Sequence, residues 1–584
     1  MPEERLIPAV QTVAEFSVKV NGTEIPRTVP KLSVNVMKMV NKIASATLVI
    51  MDGDIASGEF PLSNGDLFTP GNEIEIEAGD TDQKASIFKG IIIKQALKVR
   101  NNSSPELIVE CRHKAVKTTI GRNNACFHEA TDADVIEEIL KSRGFSSDEI
   151  AIEPTPFTHK ELVQYNCTDW DFIVSRAEAC GKLVLCNDDK ISIRQATVTG
   201  NPALSLLLGA TIIELDAEMD SRTQYLSVKS QTWDMANQSV SESIATAPAG
   251  IEEHGSLAVT DLAAVAGPDE FILQHPGAIP SEESKAWADA QLLKSRLSKI
   301  RGRAKFQGIS AIDSGDVIEL NGLGGHFSGK AFVSGVRHDF TASQGWKTQV
   351  QFGSSPGWFT EENEVDTPKA GGLLPGIRGL QTGIVTDNED PGGEMRVRIK
   401  LPFINPEDDG IWARIALTDA GKERGLFFRP EINDEVLVGF LHDDPRQPVI
   451  LGMLNSSALP SPLSPSNANH QKGYTSREKL ALLFDDERKS ISLETPGGNK
   501  FTISDYAKGI SLEDQNGNKI QMDDKGISIQ AVQKLELKAG TQLVIGGTQL
   551  SVSADASLEL KGGGSTKVKS DGALQIQGSV VQIN

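Results

Sequence analysis

Short apolar runs separated by turn residues dominate the first 125 positions of the chain. The runs alternate apolar and polar residues or are continuously apolar, and they lie at 14–20, 31–36, 45–51, 73–78 and 107–111. Turn signals such as Asn21-Gly22 and Asn64-Gly65 stand between them. Alternation with a period of two, bounded by such turns, is typical of β-strands. The pattern predicts a β-barrel or β-sandwich for residues 1–125.

Helical spacing replaces this alternation at three places. Thr131 and Thr168 each stand where an N-cap is expected, and Gly181 is placed to end the second helix. The third segment, 281–300, has acidic residues in its first turn and basic residues towards its end, in agreement with the helix macrodipole. We predict two short helices within 126–200, the longest helix at 281–300, and strands again from 305 to 352. The apolar residues at helical spacing are Val135, Ile136, Ile139 and Leu140 in the first helix and Phe172, Ile173 and Ala177 in the second.

Two loose stretches divide the second half of the chain. Residues 361–375 are rich in charge, Gly and Pro, and residues 456–470 are rich in Ser, Pro and Asn, so both are predicted to be linkers. The segment between them, 376–455, contains about five short strand-like runs, which favours a small Greek-key barrel of the OB type. These runs include 395–399, 411–415, 435–440 and 448–453.

The last segment, 471–584, repeats itself. Two longer units, 498–512 and 517–529, share Gly-Asn-Lys at the start and Lys-Gly-Ile-Ser near the end. Pairs of apolar residues two positions apart then recur in steps of seven or eight residues. Residues i and i+2 lie on one face of a strand, so each unit is predicted to supply one short strand with two apolar side chains on that face. The pairs are Leu535/Leu537, Leu543/Ile545, Leu550/Val552, Leu558/Leu560, Leu574/Ile576 and Val581/Ile583, with Thr566/Val568 in the remaining place.

Two apolar side chains per unit are too few to enclose a core within one chain, and the strand edges would stay exposed. Three copies wound around one axis would cover both the apolar faces and the edges. A single-chain solenoid is the alternative, although solenoids usually have longer repeats with more apolar residues in each coil. The repeat therefore favours an intertwined trimeric β-helix, which is a stiff rod with a polar exterior.

Composition restricts the partners of this protein. The 53 glycines, 27 prolines and 5% aromatic residues favour short strands and turns over long helices. The formal net charge of −21 opposes sequence-independent binding to nucleic acid, so we expect no nucleic-acid partner. The five cysteines form no C-x-x-C pair and are odd in number, which predicts buried thiols instead of a disulfide framework.

The sequence shows no targeting or membrane segment. Residues 1–10 lack the basic head and apolar run of a secretory signal. No apolar stretch reaches the ~18 residues that a membrane-spanning helix needs. We expect the protein to be made in the cytoplasm without a signal peptide.

Several motifs invite a catalytic interpretation, and each has a simpler explanation. The block 165–172 combines a tyrosine, a cysteine and two aspartates, but no base is paired with Cys167 by any recognisable spacing, so a capped packing helix is predicted. The segment 324–330 resembles a phosphate loop, but Ala331 follows Lys330 and strands flank the segment, so a hairpin turn is predicted. His326 also rules out a G-x-S-x-G elbow at Ser328.

Metal ligation is not indicated either. The nine histidines are scattered and form no H-E-x-x-H motif or zinc-finger spacing. The residues 442–444 are predicted to form a polar turn before Pro445. We therefore predict no catalytic residue, no cofactor-binding residue, no cofactor and no metal ligand. Whether a metal ion lies on the axis of the rod is left open.

Three sets of sequence blocks carry a further signal. The first is 164–173 and 176–178, and the second is 315–320 and 327–330, with Val333 and His338. The third lies in the predicted small barrel and consists of 397–400, 412–414, Pro430, 434–438 and 444–448, with Gly452 and Asn455. These blocks resemble one known family, the valine-glycine repeat protein G (VgrG) spike proteins, together with the related hub proteins of contractile phage tails. The blocks and the C-terminal repeat cover nearly the whole chain in the order of the family.

The resemblance implies a mainly β, multidomain fold: a hub of two β-barrels with α/β insertions, an OB-fold barrel and an intertwined triple-stranded β-helix. The implied domains are a first hub barrel at 1–125, an α/β hub subdomain at 126–200, a second hub barrel with helix 281–300 at 201–360, a linker at 361–375, the OB-fold at 376–455, a linker at 456–470 and the β-helix needle at 471–584.

The function implied by the resemblance is structural. A homotrimer would dock its hub on the inner tube and baseplate of a contractile injection system and point its needle at a target membrane, with effectors attached or carried inside the tube. A separate tip protein of the proline-alanine-alanine-arginine (PAAR) repeat type is expected on the needle, since the sequence contains no such domain. The expected location is the tip of the machine, then the outside of the cell or the target cell.

Two other functions and one choice stay open. A spike that also hydrolyses peptidoglycan is the enzymatic alternative, and a passive surface-binding fibre shares the β-helix but gives no reason for the hub and OB blocks. The compact hub and short needle favour an extracellular phage-tail-like particle over an anchored type VI secretion system, but the sequence does not decide between them. Neither the effector nor the target cell can be read from it.

Overall fold

The computed structural model describes residues 15–80, 83–101 and 104–583. Ala14, the first residue of a predicted strand, lies outside the described residues. The chain divides into two compact units, Met1–Leu374 and Pro375–Asn584. This division falls within the predicted linker 361–375.

The predicted strands of the first 125 residues are confirmed, and their side chains alternate between the core and the surface. In Ser45–Met51, for example, Ala46, Leu48 and Ile50 are buried and the residues between them are not. A long strand at Gln83–Lys98 was not predicted, because Gly90 and a bulge near Ile92 interrupt its pattern. A Cβ at Gly90 would lie 2.3 Å from the carbonyl oxygen of Arg112 on the adjacent strand, so only glycine fits there. The strands are β1 (Glu15–Val20), β2 (Thr23–Glu24), β3 (Lys31–Met39), β4 (Ser45–Met51), β5 (Glu73–Asp80), β6 (Gln83–Lys98) and β7 (Glu106–Arg112).

Both short helices predicted after this region are confirmed together with their caps. The Thr131 hydroxyl accepts a hydrogen bond from the Asp134 N–H, and the Asp134 carboxylate accepts one from the Thr131 N–H, which completes a capping box. The Thr168 hydroxyl accepts from the Asp171 N–H at 3.0 Å. The elements are a 3-10 helix at Lys114–Thr119, β8 (Asn123–Thr131), α1 (Asp132–Ser142), β9 (Ile150–Ile152), β10 (Thr158–Cys167), α2 (Asp169–Ala179), β11 (Lys182–Asn187) and β12 (Lys190–Gln195).

The rest of the first unit returns to strands around the longest helix, which is present as predicted. The hairpin predicted at 324–330 does join two antiparallel strands, but its connection contains one helical turn, Gly324–Phe327. The helix at Val259–Ala266 was not predicted. The elements are β13 (Leu204–Leu207), β14 (Ile212–Met219), β15 (Ser227–Asp234), β16 (Ser239–Ile244), α3 (Val259–Ala266), β17 (Glu270–His275), α4 (Ser281–Leu297), β18 (Ile300–Gln307), β19 (Val317–Asn321), α5 (Gly324–Phe327), β20 (Gly329–Thr341), β21 (Gly345–Phe352), α6 (Phe359–Glu362) and a short 3-10 turn at Lys369–Gly372.

One 13-stranded sheet runs through both regions that were predicted to be separate hub barrels. Its main path is β14-β18-β21-β20-β3-β4-β7-β6-β5-β1-β2, and β13 and β19 join at β20. The junction is the antiparallel pair of β20 and β3, from Gly335 opposite Met39 to Thr341 opposite Ser33. The sequence pattern predicts strands but not pairing between strands 300 residues apart, so this junction was not foreseen.

Charged and aromatic residues hold this junction together. Lys38 on β3 is 2% exposed, and its ammonium lies 2.7 Å from the Asp313 carboxylate and 3.4 Å from that of Asp188. Burial raises the pKa of Asp313 although Lys38 opposes the shift. Trp346 on β21 packs edge-on against Phe16 on β1, with ring centroids 5.5 Å apart. Trp346 of the second region therefore packs into the core of the first, whereas the other strands of the second region enclose a core of their own.

The second unit begins with a closed five-stranded barrel in the order β22-β23-β24-β28-β27. In this barrel β24 and β28 pair in parallel, and all other neighbouring strands pair antiparallel. This is the Greek-key arrangement predicted for the OB type. Eight side chains, among them Val397, Ala413 and Val436, form its core. The strands are β22 (Gln381–Asp387), β23 (Val397–Lys400), β24 (Ile411–Ile415), a small hairpin of β25 (Ala420–Gly421) and β26 (Arg424–Gly425), β27 (Glu435–Phe440) and β28 (Pro448–Met453), with a 3-10 turn at Leu441–Asp443.

A seven-stranded antiparallel sheet follows, in which each strand pairs with the next along the chain. The sequence analysis assigned all of 471–584 to a β-helix needle, and within one chain residues 471–530 form this antiparallel sheet. Each longer repeat has room for two strands and two turns, so these residues form consecutive hairpins; Gly498 and Gly517 adopt φ of +92° and +88° in equivalent turns. The strands are β29 (Gln471–Thr475), β30 (Ala481–Asp485), β31 (Ser490–Glu494), β32 (Lys500–Ser504), β33 (Gly509–Glu513), β34 (Lys519–Asp523) and β35 (Gly526–Gln530).

Residues 531–583 form no strand within one chain, and every one of them except the half-buried Ala531 is exposed. The sequence analysis predicted one short strand per repeat here. A segment counts as a β-strand only when it is hydrogen-bonded to a neighbouring strand. Repeats with two apolar residues each bury too little surface to hold such a neighbour within one chain.

No helix among the described residues is both long and apolar enough to cross a bilayer. The mainly β, multidomain class predicted from the sequence is confirmed.

Candidate assembly surface

Two rows of apolar side chains cross one face of the sheet β30–β35. Residues i and i+2 of each strand point to this face, and strand pairing places them directly opposite their counterparts on the next strand. The result is two uninterrupted rows that are six side chains long. One row is Phe484, Ile491, Ile503, Ile510, Met522 and Ile527, and the other is Leu482, Leu493, Phe501, Leu512, Ile520 and Ile529.

These apolar rows are uncovered within the chain. Leu512 is 51% exposed, Leu493 is 49% exposed and Ile503 is 40% exposed. Polar residues occupy most of the opposite face, for example Ser492, Thr502 and Ser511. Strands spaced about 4.8 Å apart make this apolar face roughly 25 Å wide, and patches of this kind mark interfaces with other macromolecules.

Cross-strand ion pairs accompany the rows at one edge and repeat with the sequence. Glu494 faces Lys500 across β31 and β32, and Glu513 faces Lys519 across β33 and β34. The nitrogen–oxygen distances are 3.5 and 3.9 Å, and all four side chains are at least 37% exposed. Such exposed pairs add little stability, about 0–1 kcal/mol each, and opposite charges directly across from each other agree with the register of the rows.

The apolar pairs of the shorter repeats continue this exposed surface in 531–583. Leu558 and Leu574 are each 57% exposed, and Ile583 is 86% exposed. Many residues between the pairs, such as Ser557, are polar. An isolated chain thus leaves apolar side chains in water along its whole C-terminal segment.

The block around Cys167 is a helix cap, in accordance with the packing interpretation. Asp169 is buried and accepts hydrogen bonds from the side chains of Gln164, Asn123 and Arg143 at 2.8, 3.0 and 2.5 Å. Burial raises the pKa of the Cys167 thiol, which disfavours the reactive thiolate.

A second buried cluster surrounds Asp132 and was missed by the sequence analysis. The Asp132 carboxylate accepts from Arg176 at 2.6 and 3.1 Å, lies 3.0 Å from His159 Nε2 and accepts from the Cys180 thiol at 3.2 Å. Arg176 also binds Glu283 on α4 at 3.0 Å. Burial alone would raise the pKa of Asp132, but the hydrogen bonds from Arg176 and His159 lower it. The cluster joins α1, β10, α2 and α4 into one body, and its members come from four separate segments, so no local motif marks it.

Within the described ranges 15–80, 83–101 and 104–583, no group of three or more His, Cys, Asp or Glu residues is arranged to hold a metal ion. The five thiols are all free, but Cys126 is exposed and Cys167 and Cys180 are only half-buried, so the expectation of buried thiols is wrong for these three residues. Cys111 and Cys186 are buried as expected.

Three protein-family models match the chain. Residues 10–342, more than half of the chain, match the Alg8 N-terminal domain. Residues 381–454 match the type VI secretion system/phage-baseplate injector OB domain, and residues 490–575 match the phage baseplate V C-terminal trimerisation domain. The third match contains most of the two apolar rows.

Curated relatives and solved structures give further matches. The type VI secretion system spike protein VgrG1b of Pseudomonas aeruginosa is 25% identical over 386 residues, which cover 59% of this chain and 48% of that protein. VgrG1a of the same organism is 23% identical over 382 residues, which cover 60% of this chain and 57% of that protein. The chain therefore spans about half the length of these relatives. The 43 kDa tail protein of prophage MuSo2 from Shewanella oneidensis is 11% identical, with a TM-score of 0.44 over 59% of this chain and 98% of that chain.

Proposed function

The chain belongs to the Alg8 N-terminal domain family, and we propose that it is the hub and needle of a bacterial contractile injection system. The ground for this proposal is that the chain also belongs to the VgrG-type spike proteins with baseplate OB and trimerisation domains. In this function three copies form the spike at the end of the inner tube. Contraction of the machine drives the spike into a target membrane. Effectors travel with the spike or inside the tube.

The observation that carries this proposal is the pair of uncovered apolar rows on β30–β35. Three copies that turn these faces towards a common axis bury all of them at once. Each Å² of apolar surface removed from water stabilises the assembly by roughly 25 cal/mol. The exposed pairs of 531–583, such as Leu558/Leu560, extend the same interface as an intertwined β-helix. A rod built in this way is polar outside and suited to transmit force.

The remaining partners follow from the same function. The first unit provides the hub that docks on the inner tube and baseplate. A tip protein of the PAAR repeat type is the partner proposed for the needle. The chain acts mechanically and not as an enzyme.

Assembly into particles tests this function. The genes of the machine are expressed together, and the particles are imaged with the wild-type chain and with Ile503→Asp, which places a carboxylate in an apolar row. We expect spikes at the tube ends and permeabilised target cells only with the wild-type chain. Spiked and active particles carrying Ile503→Asp would contradict the proposal.

A further inference from the structure

A groove with an apolar floor lies on the first unit, and nothing in the proposed function uses it. It has a volume of about 460 Å³ and lies between β3, the 3-10 helix that follows β7, the start of α2, and α6. Met37 is 39% exposed there, whereas Trp170 is buried. We name this feature the methionine groove; its floor consists of Met37, Met39, Ile43, Val116, Trp170 and Phe359.

Two cations stand at the rim of the methionine groove without an acidic partner. Lys42 is exposed and Arg112 is half-buried. Neither forms an ion pair among the described residues, although the chain has 79 acidic side chains. Asp171 at the rim keeps its negative charge, and its carboxylate accepts a hydrogen bond from the Thr168 hydroxyl at 2.6 Å. The rim therefore carries two unpaired cations against one carboxylate, next to an apolar floor.

One wall of the groove is held in place by buried charge. The backbone N–H of Phe359 donates to the Glu178 carboxylate at 2.6 Å, and Glu178 is itself paired with Lys294. Because this wall is already fixed, less conformational entropy is lost when a partner binds. The methionines of the floor are flexible side chains that adapt to different apolar partners.

We propose that the methionine groove docks a short segment of a partner protein in which one or two apolar side chains are flanked by carboxylates. The volume accommodates about two large apolar side chains, and the aromatic rings of Trp170 and Phe359 supply anchors for them. The carboxylates of the segment pair with Lys42 and Arg112, so charge complementarity sets the preference for acidic segments.

Fluorescence anisotropy with labelled peptides tests the proposal on the full-length protein. The probes are Ser-Glu-Leu-Phe-Glu-Ser, its basic counterpart Ser-Lys-Leu-Phe-Lys-Ser, and Ser-Glu-Ala-Ala-Glu-Ser without the apolar pair. We expect saturable binding of the first peptide only, weakened by added salt because the rim charges are screened. Lys42→Glu combined with Arg112→Gln is expected to weaken binding at least about tenfold.

Lys117→Glu is the matched control, because Lys117 is exposed on the same 3-10 helix but does not line the groove. It should leave the affinity unchanged. Circular dichroism checks that each variant is folded. If the double variant is not folded, Lys42→Glu alone replaces it in the binding measurement. Equal binding of the acidic and basic peptides, or no saturable binding at 1 mM peptide, would overturn the proposal.

A photo-crosslinking amino acid in place of Met37 identifies the occupant. Crosslinking to the added acidic peptide supports a partner segment. Crosslinking between copies of this chain would mean that a second copy covers the groove, and the proposal would then be wrong.

Discussion

The ammonium of Lys294 on α4 lies 2.6 Å from the carboxylate of Glu178 on α2, and both side chains are buried. Each also binds the backbone that follows the last strand of the first unit: Lys294 donates to the Gly357 carbonyl at 2.8 Å, and Glu178 accepts from the Phe359 N–H at 2.6 Å. Trp358 lies between them and donates to Gln291 at 2.7 Å. The pair thus fastens the segment around Trp358 onto two helices of the first unit.

Breaking this pair is expected to destabilise the hub strongly. Lys294→Met leaves the Glu178 carboxylate buried without a counter-charge, which costs about 3–5 kcal/mol of unfolding free energy. Urea unfolding followed by tryptophan fluorescence measures the loss. Adding Glu178→Gln to Lys294→Met should recover a large part of it, because no unpaired charge then remains.

Lys285→Met provides the control on the same helix. Lys285 pairs with Asp289 at 2.9 Å, but the two side chains are 45% and 39% exposed. Its loss should cost less than about 1 kcal/mol. If Lys285→Met and Lys294→Met cost the same, the buried pair does not hold the hub together.

Charge on the apolar rows is expected to separate the copies of the chain. Leu512→Asp, Leu558→Asp or Leu574→Asp each places three carboxylates at one level of the proposed core, at several kcal/mol each if they stay charged and unpaired. Ser511→Asp and Ser557→Asp, one residue out of phase, should be tolerated because they face solvent. Thermal unfolding of the trimer measures the difference.

Equal melting temperatures for Leu558→Asp and Ser557→Asp would show that the assigned register is wrong. Removing residues 531–584 should weaken the association of the chains without unfolding the hub, which circular dichroism and the tryptophan signal report separately.

The apolar rows show what sequence pattern can and cannot predict. Apolar residues at i and i+2, such as Ile510 and Leu512, fix which face of a strand is apolar, and a face that one chain cannot cover predicts self-association. The same pattern does not say whether consecutive strands pair with each other, as β32 and β33 do, or with strands of other copies. That choice depends on whether a repeat is long enough to include a turn.

The first unit illustrates a second limit. Thr131, Thr168 and Gly181 are local signals, and the helices that they delimit were predicted with their caps. The pairing of β3 with β20, the Lys38–Asp313 ion pair and the cluster around Asp132 join residues that are far apart in the sequence. Nothing in a local pattern relates such residues, so the single sheet and its buried charges had to come from the structure.

Acid is expected to destabilise the first unit through His338. This residue is 1% exposed, its Nδ1 lies 3.0 Å from the Thr348 hydroxyl, and burial lowers its pKa to about 3. A lowered pKa means that the unfolded chain binds a proton that the folded chain does not. The contribution of neutral His338 to the free energy of unfolding is therefore fully present above pH ~6.5. It is lost as the pH falls towards 3, at up to about 1.4 kcal/mol per pH unit.

Urea unfolding at pH 4 to 8 measures this slope for the wild type and for His338→Gln. The variant should lose less stability between pH 6.5 and pH 4 than the wild type does. His275→Gln, at an exposed position, should keep the wild-type slope. A slope that is unchanged in His338→Gln would exclude this residue as the titrating group.

Thiol labelling is expected to single out Cys126. Cys126 is exposed on β8, whereas burial raises the pKa of the half-buried Cys167 and Cys180 and raises that of the buried Cys111 and Cys186 to about 12. A maleimide at neutral pH should therefore modify Cys126 rapidly, Cys167 and Cys180 more slowly, and the two buried thiols only after unfolding. Mass spectrometry of the modified protein counts the adducts, and Cys126→Ser should abolish the rapid phase. A rapid phase that survives this substitution would contradict the assigned exposures.

The mass of the purified full-length protein in solution tests the central claim most directly. If the apolar rows and the exposed repeats of 531–583 are an interface between three copies, light scattering coupled to size-exclusion chromatography should give three times the chain mass of 62.8 kDa at micromolar concentration. The value should fall towards one chain mass in Leu512→Asp but not in Ser511→Asp. A wild-type protein that elutes with a mass of 62.8 kDa would contradict the account.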